Sequence, residues 1–284
     1  MRHPILISIC AAGALALAGC ESSTDQEEVD RALQDLNVVD ETNLNDVMLT
    51  VADADEAVTY FKRATAGQPD RIDLQRGLAK SLIRAQRHGE GVAAWQKVVD
   101  HKDSKVDDKV DLADALIRNN DWERAGQTLD SVPPTHETFK RYRLEAMIAD
   151  SNKEWKKADS FYETAVGLTT RPASVMNNWG YSKLSRGDFA AAERLFAEAI
   201  QNDQSLFTAK NNLILARGAQ KKYSLPVIPS TQSERAQLLY TMGLSAVKQG
   251  DTTIGKGLLR DAIDTHPQHF EEAVRSLRAL EESS

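Results

Sequence analysis

The sequence is poor in cysteine, and both of its cysteines lie within the first twenty residues. Cys10 and Cys20 leave the rest of the chain without a thiol. That part of the chain therefore cannot form an internal disulfide or a thiolate metal site. Aromatic residues are also few, at 6% of the chain, whereas alanine, leucine and charged residues are abundant. This composition favours helix over sheet.

Motifs of the common catalytic sites are missing as well. The chain contains no glycine-rich phosphate loop, no nucleophile elbow and no HExxH sequence. The acidic residues follow polar helix faces, and no pair of carboxylates is distinguished by its spacing. We therefore expect no catalytic residue and no enzymatic activity.

Positive charge is outnumbered by negative charge. Lysine and arginine total 35, against 42 aspartates and glutamates, for a formal net charge of −7. No basic patch stands out that could neutralise the phosphates of a duplex, so nucleic acid is not an expected partner. His266 and His269 precede two glutamates and could suggest a metal site. Pro267 disrupts the helix face that they would share, so we expect no metal.

The one long apolar run of the chain lies near the N-terminus, from about Ile5 to Leu17. It is shorter than the roughly twenty residues that span a bilayer, but it has the length of a secretory apolar segment. It ends in Leu-Ala-Gly-Cys at residues 17–20, which resembles the lipobox of bacterial lipoproteins. The resemblance implies that residues 1–19 are removed and that Cys20 is acylated, and this covalent lipid is the only cofactor expected. An ordinary signal peptide with an incidental cysteine and an uncleaved anchor helix are the alternatives.

The residues that follow Cys20 bear on localisation. The next residue is Glu21, not the aspartate that signals inner-membrane retention in some bacteria. We therefore expect attachment to the outer membrane of a Gram-negative cell, with the protein facing the periplasm. The two or three acyl chains of a lipoprotein suffice for stable anchoring, which a single chain does not give. Residues 20–37 are acidic and polar and are expected to form a spacer.

A period of about 34 residues runs through the remainder of the chain. Small residues recur at spacings of 34, 34, 33, 34 and 63: Ala57, Gly91, Ala125, Ala158, Ala192 and Gly255. Four positions after each stands a bulky apolar residue: Phe61, Trp95, Leu129, Tyr162, Phe196 and Leu259. Small residues let antiparallel helices approach closely, and the large residues fill the space beside them. The pattern resembles the tetratricopeptide repeat, and it predicts an all-α solenoid, a right-handed superhelix of antiparallel helix pairs.

The register of the repeat predicts how the chain is divided. Repeats occupy residues 38–226, and the last of them is degraded because two nearby prolines, Pro226 and Pro229, forbid a regular second helix. Residues 227–235 are expected to form a proline-containing connector. Residues 236–284 are expected to form a final repeat and a C-terminal capping helix. The four tryptophans fall on repeat columns, which predicts that they pack.

The concave face of a tetratricopeptide solenoid is lined by first helices and is its usual peptide-binding surface. The candidate groove residues are the polar residues of the inward columns: Arg76, Lys80, Arg143, Asn177, Asn178, Tyr181, Asn211 and Asn212. Asparagine amides can pair with both the carbonyls and the N–H groups of a peptide, although asparagine is also common at such helix positions. An acidic peptide could dock beside the three basic residues. They do not complete a set that resembles the carboxylate clamp of chaperone-binding relatives, so a chaperone tail is not an expected ligand.

The C-terminal part of the chain carries a narrower resemblance. Residues 234–239 (ERAQLL), Gly243, 249–251 (QGD) and 265–270 (THPQHF), with the Pro226–Pro229 segment before them, look like the TadD family of Flp/Tad (tight adherence) pilus-assembly lipoproteins. The resemblance implies a pilotin-like protein whose partner is the secretin or another pilus-assembly component. The alternatives are a periplasmic adaptor for peptidoglycan enzymes or for outer-membrane protein assembly, and a structural scaffold within an envelope complex.

Overall fold

The computed structural model describes residues 44–282 of the chain. Within this range the chain is helical, with short turns, one extended connector and no strand. A helical segment at 44–50 comes first. Thirteen helices follow it: α1 (Ala54–Gly67), α2 (Ile72–Arg84), α3 (His88–Asp100), α4 (Val106–Arg118), α5 (Trp122–Asp130), α6 (Phe139–Ser151), α7 (Trp155–Gly167), α8 (Ala173–Ser185), α9 (Phe189–Asn202), α10 (Phe207–Ala219), α11 (Gln232–Lys248), α12 (Thr252–Thr265) and α13 (Glu271–Glu282).

Each helix packs mainly against its neighbours in the chain. The tightest pairs are formed by helices joined by short turns, such as α6 with α7, α8 with α9 and α11 with α12. Consecutive pairs are then joined by contacts such as those of α9 with α10. A stack in which each hairpin contacts only the adjacent ones is a solenoid. The all-α prediction is confirmed.

Two of the turns inside the hairpins combine a left-handed residue with a side-chain helix cap. Asn120 has a φ of 61° and Gly187 a φ of 83°, a region that asparagine and glycine tolerate best. The next residue caps the second helix: the Asp121 carboxylate accepts from the Arg124 N–H, and the Asp188 carboxylate accepts from the Ala191 N–H. The pairs Asn120-Asp121 and Gly187-Asp188 therefore mark the starts of α5 and α9.

The repeat columns form the core of the solenoid. Phe61 and Phe196 are fully buried, and each lies against a glycine of the first helix of a pair. A Cβ atom added to Gly77 would lie 2.3 Å from the Phe61 ring, and one added to Gly180 would lie 2.7 Å from the Phe196 ring. The absence of a side chain at these positions is what allows the helices to pack this closely.

The sixth pair lacks its second helix. Helix α10 ends at Ala219, and an irregular segment that contains Pro226 and Pro229 leads to α11. Ile228 of this segment packs against the core of α9 and α10, whereas Val227 is fully exposed. The extended segment thus covers part of the surface that a second helix would otherwise cover.

Arg84 and Tyr60 attach the N-terminal helical segment to the solenoid, and the Tyr60 hydroxyl donates to Asn45 Oδ1 at 2.9 Å. The Arg84 guanidinium donates to the carbonyl oxygens of Met48, Leu49 and Ala52 at 2.5–2.9 Å, which satisfies free carbonyls at the end of segment 44–50. None of the helices between residues 44 and 282 combines the length and the apolar character needed to cross a bilayer. The predicted leader, the lipidation site Cys20 and the spacer lie outside the described residues.

Candidate functional site

A cleft of about 470 Å³ opens along the first helices α6, α8 and α10, and we call it the α6–α10 cleft. Its lining includes Asp150 of α6 and four of the predicted groove residues. Those four residues are Asn177, Asn178 and Tyr181 of α8 and Asn212 of α10. Ligand sites commonly have volumes of about 300–1,000 Å³, so the cleft is large enough for a few residues of a peptide.

The repeat period explains why these side chains meet. Residues 34 apart occupy equivalent positions in successive repeats, so Met147 lies in one row with Tyr181, and Asn178 lies in one row with Asn212. Trp122 and Trp155 are likewise the first residues of successive second helices, and both border the cleft. Neighbouring repeats therefore present like positions to one surface.

The asparagines differ in their surroundings. Asn212 is only 8% exposed, and its Nδ2 donates to Asn177 Oδ1 at 3.1 Å. Asn178 Nδ2 lies 3.6 Å from the sulfur of Met147. Asn211 accepts from the Thr241 hydroxyl at 2.7 Å and is not among the residues that line the cleft. The cleft thus brings together three of the four predicted asparagines, while Asn211 links α10 to α11.

The predicted basic residues lie away from the α6–α10 cleft and beside carboxylates. The Arg76 guanidinium donates two bonds of 2.7 Å to Asp108, whose side chain is 4% exposed. Arg143 lies 3.9 Å from Asp114, and Lys80 lines a smaller cavity together with Asp114. Arg76 and Arg143 thus each have a carboxylate partner within the chain, and the docking of an acidic peptide at Arg76, Lys80 and Arg143 stays a prediction.

Burial and hydrogen bonding oppose each other at the Asp108 carboxyl group. Burial alone would raise its pKa, but the bonds from Arg76 and from the Lys105 N–H outweigh burial and hold the pKa below its usual value. Asp108 is therefore an ionised partner of Arg76 at neutral pH. Neither charge of this pair is free to bind a ligand.

Asp150 is a carboxylate of a different kind. Its Oδ1 accepts from the Ser182 hydroxyl at 2.7 Å and its Oδ2 from the Tyr162 hydroxyl at 2.9 Å. Burial raises the pKa of Asp150 above its usual value, although both hydrogen bonds act in the opposite direction. No lysine, arginine or histidine nitrogen within residues 44–282 forms an ion pair with Asp150.

A network around Asp159 of α7 fixes the wall beside the cleft. Its carboxylate accepts from the Trp179 indole at 2.6 Å, from Lys183 at 3.0 Å and from Arg186. Burial would raise the pKa of Asp159, but these donors hold it below its usual value. The Arg186 guanidinium also lies 5.5 Å from the centroid of the Trp155 ring. Asp159 and Trp155 thereby join α7 to the side chains of α8 and of its C-cap residue Arg186.

Three residues of the cleft, Asp150, Trp122 and Trp155, are not among those that the sequence predicts for the site. The repeat columns predict packing for the tryptophans, but both are partly exposed where they border the cleft. A signal for Asp150 does exist in the sequence: the other residues of its column carry no polar side chain, and they are Ile83, Ile117, Leu184, Gly218 and Val247. A single carboxylate in an apolar column is a departure from the packing pattern.

The two C-terminal histidines have local roles. The ring of His266 lies 4.8 Å from that of Phe270, and His269 Nε2 lies 2.8 Å from a Glu271 oxygen. No group of three or more histidine, cysteine, aspartate or glutamate side chains that could hold a metal ion occurs in the described part of the chain.

No protein-family model and no curated protein matches the sequence. Solved structures match its fold. A chain of the APC/C hetero-tetramer Cut9–Hcn1 matches 80% of this chain with a TM-score of 0.58 and 11% identity. This chain spans less than half of that protein's chain, 46%.

Two further solved structures match the same fold. A tetratricopeptide repeat protein from Parabacteroides merdae matches 90% of this chain over 99% of its own, with a TM-score of 0.53 and 11% identity. The human IFIT1 dimer with m7Gppp-AAAA matches 83% of this chain over 61% of its own, with a TM-score of 0.58 and 13% identity. The chain is a tetratricopeptide repeat solenoid, as predicted from its period. Identities this low show the fold alone.

Proposed function

We propose that this protein is a lipid-anchored periplasmic assembly factor that binds an extended protein segment in the α6–α10 cleft. Its role is that of a pilotin for the Flp/Tad pilus, and its partner is the secretin of that system. The observation that carries the binding part of the proposal is the cleft itself. The localisation and the pilus role rest on the resemblances of residues 17–20 and of the C-terminal region.

The cleft offers the groups that an extended peptide requires. The bond between Asn212 and Asn177 uses one donor and one acceptor, so each amide retains others for a peptide backbone. Tyr181 is 59% exposed beside them and offers a large apolar face. Backbone pairing combined with apolar contact is the usual basis of peptide recognition.

The proposed anchor is compatible with this arrangement in length. The 23 residues between Cys20 and the first described helical segment could reach at most about 80 Å when fully extended. A lipid on Cys20 would therefore let the cleft meet a partner that is still held near the membrane surface.

Deletion in a Flp/Tad-bearing strain tests the pilus role. Cells that lack this protein should contain secretin that is monomeric or absent from the outer-membrane fraction, and expression of the unmodified chain should restore the multimer. A Cys20→Ala chain should fail to restore it, because it cannot be acylated. Normal secretin multimers in the deletion strain would contradict the pilotin role and favour an adaptor of peptidoglycan enzymes or outer-membrane protein assembly.

A further inference from the structure

The α6–α10 cleft contains an acidic group whose charge is not compensated by an ion pair. Asp150 lines the cleft and is held by two neutral hydroxyl donors, those of Ser182 and Tyr162. A carboxylate has about four lone-pair positions, so two of them remain available for further donors. Leaving water is costly for a carboxylate that has no counter-ion, and a cation in the cleft would offset that cost.

The nearest cationic side chains are already engaged elsewhere. Arg186 donates to Asp159 and covers Trp155, and Arg143 lies 3.9 Å from Asp114. Neither forms an ion pair with Asp150, although the charge of Arg186 acts on Asp150 without direct contact and lowers its pKa. An acidic ligand would have to place its own carboxylate beside that of Asp150, which would be repulsive.

Aromatic rings surround the same cleft. Trp122, Trp155 and Tyr181 all line it, and Tyr181 is more than half exposed. The faces of tryptophan and tyrosine rings attract ammonium and guanidinium groups, and the attraction is stronger where water is partly excluded. Carboxylate and aromatic faces in one cleft are therefore complementary to a basic side chain.

We propose that the α6–α10 cleft selects a protein segment with a lysine or arginine, whose charged end pairs with Asp150 and lies against the ring of Tyr181. This rests on the proposed function, since it specifies the segment that the cleft would bind. It differs from the acidic ligand predicted for the basic columns of the earlier repeats. The basic residue supplies the counter-ion that Asp150 lacks within residues 44–282.

Peptide pools test this selectivity on the purified full-length protein. The probes are fluorescein-labelled nonapeptides with blocked ends, a fixed central residue and flanking positions randomised over alanine, leucine, serine and asparagine. The central residue is lysine, arginine, Nε-acetyl-lysine, glutamate or leucine, and binding is measured by fluorescence anisotropy. The lysine and arginine pools should bind about 10-fold more tightly than the acetyl-lysine pool. Equal binding of these pools, or tightest binding of the glutamate pool, overturns the proposal.

Single substitutions in the cleft test which residues give the preference for a basic peptide. In Asp150→Asn the lysine and arginine pools should bind like the acetyl-lysine pool. The matched control is Asp130→Asn, which removes the same charge from an exposed position at the end of α5 and should keep the preference. Tyr181→Leu should weaken the preference several-fold and Tyr181→Phe should retain it, because phenylalanine keeps the ring. Since Tyr181 is exposed, this second pair remains informative if Asp150→Asn fails to fold.

The outcomes separate the two proposals. Binding of all pools without a charge preference, or a preference that survives Asp150→Asn, overturns the basic-segment proposal and leaves the peptide-binding function intact. No binding of any pool to the unmodified protein contradicts the cleft as a peptide site, and both proposals then fall.

Discussion

Asp108 and Asp150 are both carboxylates on first helices, yet their surroundings are opposite. Asp108 is paired with Arg76 and has a lowered pKa, whereas Asp150 accepts only from hydroxyl groups and has a raised pKa. The first arrangement is structural, because both charges are satisfied within the chain. The second leaves a charge that a ligand can satisfy, and it lies in the cleft.

Replacing Arg76 with methionine should destabilise the protein by about 3 kcal/mol at neutral pH, because it leaves the buried Asp108 carboxylate without its counter-ion. The pKa of Asp108 is lowered in the folded chain, so the stability it contributes is present above its unfolded pKa of about 4 and is lost as the pH falls below that value. The difference between variant and wild type should therefore shrink as the pH falls, because the buried Asp108 of the variant takes up a proton more readily than the paired Asp108 of the wild type. Urea unfolding at several pH values measures both effects, and a loss that is independent of pH would contradict this assignment.

A second prediction at the residue scale concerns Gly180. Gly180→Ala places a Cβ atom about where the Phe196 ring now lies, 2.7 Å from its nearest atom. Overpacking of this kind should cost about 1–3 kcal/mol in the free energy of unfolding. The matched control is Gly167→Ala, at the end of α7, where an added Cβ meets no atom within 4 Å. If urea unfolding shows the same loss of stability for both substitutions, the close contact between Gly180 and Phe196 does not restrict the size of the residue at position 180.

At the residue scale the sequence predicted the packing columns better than the charges. Small and bulky residues follow the period, so Ala192 and Phe196 could be placed from spacing alone. The pairing of Arg76 with Asp108 could not be predicted from spacing. The two residues are 32 positions apart, and their contact depends on the angle at which their helices pack. Asp150 was visible only as a polar residue in an apolar column, and its hydroxyl partners depend on how α6, α7 and α8 pack.

Among the elements, the junction between α10 and α11 is the most unusual, because an extended segment joins them. Two interactions set the start of α11. Thr231 and Glu234 form a capping box, with the Thr231 hydroxyl accepting from the Glu234 N–H and the Glu234 carboxylate accepting from the Thr231 N–H. The same carboxylate accepts from Lys210 of α10 at 3.1 Å. Glu234 thus connects the cap of α11 to the preceding helix.

Thr231→Ala should remove this cap and destabilise α11 by about 1 kcal/mol. The expected result is faster amide hydrogen exchange in the first turns of α11, while exchange in α8 stays unchanged. Ser230→Ala, at the exposed position just before the cap, is the matched control. If Thr231→Ala leaves exchange in α11 at the wild-type rate, the capping box does not set the start of this helix.

For the whole molecule, the 34-residue period was enough to predict a helical solenoid, because periodicity determines which faces must be buried. The prolines likewise indicated where a second helix is missing. The period could not predict that a cleft of this size opens along α6, α8 and α10, whereas the first helices of the earlier repeats border a smaller cavity. That depends on the particular side chains of these repeats, including small serines at the positions of Ser182 and Ser185.

The solenoid architecture also predicts which helices lose stability when one buried residue is replaced. Leu259 is fully buried between α11 and α12, and Leu259→Ala should cost about 2–5 kcal/mol locally. Because each repeat contacts only its neighbours, hydrogen exchange should rise in α11–α13 and stay unchanged in α2–α5. A uniform rise along the chain would indicate one cooperative unit and contradict nearest-neighbour packing. Leu129→Ala, buried in α5, is the matched variant that should give the reverse pattern.

The central claim is that the α6–α10 cleft binds the partner protein, and site-specific photo-crosslinking in living cells tests it most directly. A photoreactive phenylalanine analogue replaces Tyr181 in the cleft or, as the control, the exposed Glu163 on α7. Ultraviolet light should then join the chain with the analogue at position 181 to the pilus secretin, and the chain with the analogue at position 163 should form no such product. No secretin adduct at position 181, or equal adducts at both positions, would contradict the account.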